Sequence, residues 1–346
     1  MPHTAGLPHP NPAVEPLSAA AVVGRTPSVK EPLLSGGRLF WLEQRPHERG
    51  RTTLLVAPAE APDAAIEVTP GEWNLRSRVH EYGGGPYAVA GSDLVWVHDG
   101  DRCLWHRSLD PGSGAPTGEP LRLTEPNPER AFADGLIDAL HQRWIGVMEQ
   151  GGRDHLVAVP LAGGEPELLH QPADFCGYAA LSPDGRQVAW VEWEQPCMPW
   201  ERSSLWLADI RGDGQLEAPR QVAGSRPGEG AGVSVFQPLW IGADQLVTAS
   251  DASGFWNLQL LNTSAGCWQE LLPMAAEFAM PQWVYGMRTT AWDGQLLLAA
   301  ACRDGRWELG RVLLEAPDPA EPSSSWQPLN VPFNDLAGLS AENGRL

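Results

Sequence analysis

The stretch Ser77-Arg78-Val79-His80-Glu81-Tyr82-Gly83-Gly84-Gly85-Pro86-Tyr87 is where this chain crowds the most chemistry into the fewest residues. Arg78, His80, Glu81 and Tyr82 supply a cation, an imidazole, a carboxylate and a phenol. Gly83, Gly84 and Gly85 follow, and consecutive glycines permit positive φ and close backbone approach. Two readings are open. One is a strained turn between structural units, its His and Glu satisfying backbone groups. The other is a wall or mouth of a tunnel, with Arg78, His80, Glu81, Tyr82, Gly83 and Gly84 touching a substrate or a partner domain.

The rest of the chain offers no catalytic constellation by motif. A serine hydrolase of the α/β type needs GxSxG on a strand–turn–helix, followed by acid and then histidine. No GxSxG occurs, and Gly112-Ser113-Gly114 lies in a loop without a preceding strand pattern. His170 is the last histidine, so no Ser–Asp–His order can be built in the second half. HExxH, the P-loop and GxGxxG are absent, and no cofactor is implied. No His/Asp/Glu cluster has metal spacing; His98, Asp99 and Asp101 read as a solvated hairpin tip. Glu192 and Glu194 sit two apart on one strand face, as acid–base work on a sugar or a structural role would allow. A propeller-type sugar hydrolase or lyase needs inward carboxylates on several innermost strands, and no regular acidic position is seen.

Composition narrows the class. The 346 residues carry 43 acidic against 24 basic side chains, a net charge of −19, so nucleic acid and anionic membranes would repel this chain. No apolar run is long enough for a membrane span. Gly (37) and Pro (33) argue for many turns rather than long helices. Five widely spaced cysteines without a CxxC pair indicate free thiols in a reducing compartment. The N-terminus lacks a basic and an apolar signal region, so a cytoplasmic protein is expected.

A short apolar strand recurs, opening at Arg38, Asp93, Arg143, Gln187, Gln245 and Gln295, with intervals of 55, 50, 44, 58 and 50 residues. Each copy leads through a polar turn to a second strand: Thr52–Ala57, Arg102–Ser108, Asp154–Val159, Ser204–Asp209, Asn257–Asn262 and Trp307–Leu313. Asp99-Gly100, Gly151-Gly152, Ser253-Gly254 and Asp304-Gly305 supply tight-turn chemistry. A further strand lies upstream, as in Gly84–Val89 and Gly177–Leu181. Four-strand units at this period predict an all-β protein, a β-propeller of four-stranded antiparallel blades. Trp41, Trp96, Trp144 and Trp190 recur in the same strand and read as filler between blades.

Six blades are complete. Pro332 onward repeats the approach to a first strand, and Arg345 falls where the next should open. The expectation is an incomplete seventh blade and a truncated polypeptide; closure of six blades with a ragged tail is the other reading. Residues 1–16 are expected to be a flexible Pro-rich N-terminus and 17–346 the propeller. Leu17–Val23 is read as a helical turn or two, and 110–128 and 315–328 as loops between blades.

Arg78-Val79-His80-Glu81-Tyr82-Gly83-Gly84-Gly85 resembles the second-blade segment of prolyl oligopeptidase-type serine peptidases, in the acylaminoacyl-peptidase-like branch. Ser182-Pro183-Asp184-Gly185 with Val188-Ala189-Trp190 resembles the repeat shared with TolB-like proteins. Met198-Pro199-Trp200-Glu201 before Ser204-Leu205-Trp206, and Ser250-Asp251 with Gly254-Phe255-Trp256-Asn257-Leu258, resemble the same peptidase branch. Ile241-Gly242-Ala243-Asp244 departs from the family's frequent Ser-Pro-Asp-Gly. The resemblance covers about 17–346 and implies the N-terminal propeller that covers an α/β-hydrolase domain and admits peptides, the triad belonging to that other domain. It would leave this chain a gating and substrate-selecting domain without a triad of its own. The competing expectation is a free-standing TolB-like propeller used as an interaction module.

Overall fold

A computed structural model describes Ser18, Gly24 and residues 26–225, 232–314 and 325–346. It forms six four-stranded antiparallel sheets set in a ring, a six-bladed β-propeller. The blades span 28–67, 87–122, 130–170, 175–224, 235–270 and 290–329, each strand pairing with the next along the chain. Among the described residues there is no α-helix; 3-10 turns occur at Pro46–Glu48 and Pro62–Ala64.

The second strand of each blade is its hydrophobic heart, because a sheet packed between two others is buried on both faces. Arg143–Gln150, Gln187–Trp193 and Gln245–Ser250 are buried over most of their length. Trp96, Trp144 and Trp190 lie at most 2% exposed between sheets, as expected of blade filler, while Trp41 is half-buried. The outermost strands are different. Pro116–Arg122 and Trp326–Leu329 form in segments whose composition predicts loops. Their prolines are tolerated because an outer strand is a sheet edge with free N–H positions. The helical turn expected over Leu17–Val23 lies outside the described residues apart from Ser18, as do the N-terminal 1–16 and most of 315–328.

The innermost strands share a device that no residue type announces. Glu31, Gly85, Asp134, Tyr178, Gln237 and Gly286 all adopt positive φ, between 48° and 79°. Register shifts mark bulges at four of these places. Their groups bond from blade to blade around the axis. Gly85 N donates to Glu31 Oε1 at 3.2 Å, and Asp134 N to Gly85 O at 2.9 Å. Tyr178 N donates to the Asp134 carboxylate. Gln237 accepts from Thr289 N at 2.8 Å and donates to Thr290 O at 2.8 Å.

The seventh-blade expectation meets a different arrangement. Residues 338–345 form no strand of a further sheet; they staple blade six to blade one. Gly338 N and Leu339 N donate to Arg288 O, and Asn343 N to Asp293 O. On the other side Leu34 N donates to Ser340 Oγ, and Gly36 N and Gly37 N to the Glu342 carboxylate at 2.8 and 2.7 Å. Glu342→Ala leaves two hairpin amides without their charged acceptor. We expect it to lower stability by about 1 kcal/mol, read as a shift of the urea midpoint; an unchanged midpoint would show that the staple carries no stability.

Candidate ligand cavity and its supports

The segment 77–85 precedes the innermost strand of blade two and folds back on itself before reaching the axis. Gly83 N donates to Val79 O and Glu81 N to Arg78 O. His80 and Glu81 both stand in the left-handed region, at φ 51° and 65°, where non-glycine residues are strained. Ser77 and Val79 are buried beneath them. The three glycines each meet another backbone. An added Cβ would lie 2.5 Å from Ser77 O at Gly83, 2.3 Å from Tyr285 O at Gly84 and 2.7 Å from Asp134 Cα at Gly85. Gly84 pairs with Tyr285 in a parallel bridge.

His80 is the structural pivot. Its Nε2 lies 2.9 Å from Asp154 Oδ1, and the Asp154 side chain is fully buried. Asp154 also accepts from Cys176 N at 3.0 Å and Tyr285 OH at 3.2 Å, so one carboxylate ties segments of blades two, three, four and six. The His80 backbone N–H donates to Glu149 Oε2 at 2.8 Å. Its ring stands edge-on to Phe175 with centroids 5.0 Å apart.

A cavity of about 380 Å³ opens beside this pivot. It draws on the segment before blade two (Val79–Gly83), on Glu149, on Phe175 and Trp193 of blade four, on the loop Met198–Trp200, and on Gln282–Tyr285. All of these lie where innermost strands begin and second strands end, which is one face of the ring. Trp200 and Trp283 face each other with ring centroids 4.4 Å apart. Tyr82 and Trp283 stand 71% and 57% exposed at the rim. The lining contains no serine, threonine or cysteine, so no Ser–His or Cys–His arrangement forms with the His80–Asp154 pair there. The arrangement can bind an apolar or aromatic group.

Of the expected site residues, His80, Glu81, Tyr82 and Gly83 line the cavity, and Gly84 supports it from behind through Tyr285. Arg78 does not join them: its guanidinium bonds Asp99 at 2.7 Å, away from the lining. Asp99 and Asp101 are therefore not merely a solvated tip; they accept from Arg78, Asn74 and Trp105. Glu192 is buried against His170 at 2.8 Å and Trp190 Nε1 at 2.6 Å, a structural use of that carboxylate. Among the described residues no group of three or more His, Cys, Asp or Glu gathers to hold a metal. The cavity's other half, Phe175, Trp193 and Gln282–Tyr285, was not singled out by sequence. A signal was available, since Gln282-Trp283-Val284-Tyr285-Gly286 sits before blade six as Val79–Gly83 sits before blade two.

A propeller with an aromatic cavity at one mouth defines the class of the domain, and comparison with solved structures narrows it. A puromycin hydrolase structure superposes with a TM-score of 0.82 and 29% identity, covering 95% of this chain and 51% of that one. A Mycobacterium tuberculosis puromycin-hydrolyzing peptidase gives 0.80 and 30%, covering 95% and 50%. Prolyl oligopeptidase B from Galerina marginata shares the fold, with a TM-score of 0.57 at 12% identity, covering 83% of this chain and 42% of that one. No protein-family model and no curated protein matches the chain. The chain spans about half the length of the puromycin-hydrolysing relatives, and what it matches is the N-terminal propeller region of prolyl oligopeptidase-type peptidases.

The glycine run makes a sharp prediction. Gly84→Ala places a Cβ against the Tyr285 backbone at φ 95°, and should cost about 4 kcal/mol. Gly91→Ala, at φ 58° with nothing within 4 Å, should cost about 1 kcal/mol. Denaturant melts of the two variants measure the difference; equal costs would mean that the Gly84–Tyr285 contact does not constrain the fold.

Proposed function

We propose that this propeller is the gating and substrate-selecting half of a cytoplasmic serine peptidase. Its aromatic face would cover the active site of an α/β-hydrolase domain. The observation that carries the reading is the cavity of about 380 Å³, built in part by the same segment that resembles the peptidase family. The similarity at 29 and 30% identity to puromycin-hydrolysing enzymes supports it. In this reading the substrates are short peptides and peptide-like amides, and Trp200 and Trp283 hold an apolar or aromatic group. By covering the active site the propeller would exclude folded proteins and leave access to short extended chains. Five cysteines without a disulfide are in keeping with a reducing cytoplasm.

Protein isolated from its source through this chain should carry a serine that reacts with a fluorophosphonate, and should cleave short peptides while sparing folded proteins. Trp283→Ala should raise KM for aromatic substrates by about tenfold, the loss of roughly one well-packed aromatic contact. Absence of any reactive serine would end the peptidase reading and leave a free-standing interaction module.

A further inference from the structure

The connection from blade five to blade six, residues 271–289, carries no strand and lies between two cavities. Gln282–Tyr285 line the aromatic one, and Gly286–Arg288 line a second of about 290 Å³. A neighbouring space of about 190 Å³ takes in Glu31 and Tyr87 and shares Asp134 and Arg288 with the second cavity. Between them these two spaces touch the innermost strands of all six blades, so they lie on the axis.

Three charged side chains line this axial space: Glu31 from blade one, Asp134 from blade three and Arg288 from the connection. Glu31 and Asp134 stand at φ 50° and 52°, at bulges that break the regular alternation of their strands. Glu31 Oε1 accepts from Gly85 N at 3.2 Å, while its Oε2 has no hydrogen bond among the described residues. Asp134 accepts from Tyr178 N and from the Gly286 amide. The Arg288 guanidinium forms no hydrogen bond and no ion pair within 4 Å among the described residues, although its charge acts on both carboxyls. Burial pushes Glu31 up to about 7 and Asp134 up to about 6, and Arg288 opposes the rise in both. The carboxyls are therefore short of positive charge where they stand, and the guanidinium is short of an acceptor.

The signs of these charges choose the ligand. A simple cation would sit against Arg288, and a simple anion against two carboxyls. A molecule that carries an ammonium at one end and a carboxylate at the other meets all three with charge-assisted hydrogen bonds. We propose that the axial cavity is a binding site for a small zwitterion of the amino-acid type, its ammonium on Glu31 and Asp134 and its carboxylate on Arg288. The site is distinct from the aromatic cavity across the connection, and the proposal is independent of the peptidase reading.

Isothermal titration calorimetry of the full chain with alanine and with dialanine tests this, and it reads binding without any hydrolysis. At least one of the two should bind with a Kd of about 1 mM or tighter, and the tighter one fixes the length that fits. Acetylating the amine of that ligand, or amidating its carboxylate, should each weaken it about tenfold. Arg288→Gln should weaken the unblocked ligand about tenfold and leave the amidated one as in the wild type. Glu31→Gln should weaken the unblocked ligand and spare the acetylated one in the same way. The spared ligand reports that each variant site is still folded, and the wild-type series decides the matter even where a variant does not fold. The proposal is overturned if the wild type binds neither ligand, or binds blocked and unblocked forms equally. A loss on blocking that persists undiminished in both folded variants overturns it too.

Discussion

Every blade of this ring presents a bare sheet edge to the axis, and those backbone groups need partners. The collar of left-handed residues meets that constraint. A bulge at Glu31, Asp134, Tyr178 and Gln237 breaks four of the six inner edges before they can act as templates. The side chains so released bond the neighbouring blade, as Gln237 does to both Thr289 and Thr290. A left-handed non-glycine residue costs about 1 kcal/mol, comparable to one net hydrogen bond. The collar is therefore close to neutral in energy by itself. Its effect is to link neighbouring blades around the axis.

The connection between blades five and six lies between two cavities. With the axis closed by Gln282–Arg288, the roomy aromatic space lies on the face where inner strands begin. Asp154 holds that face together. A buried carboxylate is tolerated only when donors surround it, and here His80, Cys176 N and Tyr285 OH converge on it. Because those donors come from three segments remote in sequence, the position of the His80 wall is tied to that of the Tyr285 wall. A change at either alters the shape of the cavity between them.

The legible part of this structure was the part buried on both faces. Second and third strands announced themselves as continuous apolar runs; their observed limits lie within three residues of the expected ones and coincide with them at Gln245–Ser250 and Asn257–Asn262. Outer strands such as Pro116–Arg122 did not, since one exposed edge tolerates Pro and Gly and blurs alternation. The collar was invisible for a different reason. Its six members are Glu, Gly, Asp, Tyr, Gln and Gly, so what repeats is a backbone conformation rather than a residue type. The segment 77–85 was read as a strained turn or as a tunnel wall touching a substrate or partner domain; it is a strained turn, and its residues Val79–Gly83 line a cavity. The strain at His80 and Glu81 aims their side chains, while Arg78 is spent on the neighbouring hairpin.

The tryptophans separate structure from recognition. Trp96, Trp144 and Trp190 all lie on the second strand of their blades and are sealed between sheets, where a large apolar filler packs. Trp193, Trp200 and Trp283 sit at strand ends or in connections, where nothing in the blade geometry asks for so large a ring. Leaving Trp283 and Tyr82 more than half exposed forgoes burial worth about 2 kcal/mol per side chain. Folding alone does not repay that loss, because smaller polar residues would serve a connection equally well. Exposed aromatics gathered at the rim of one cavity are accounted for by something that binds against them. That rim is fixed by the connection between blades five and six, whose Tyr285 N–H and hydroxyl bond Gly83 O and Cys176 O.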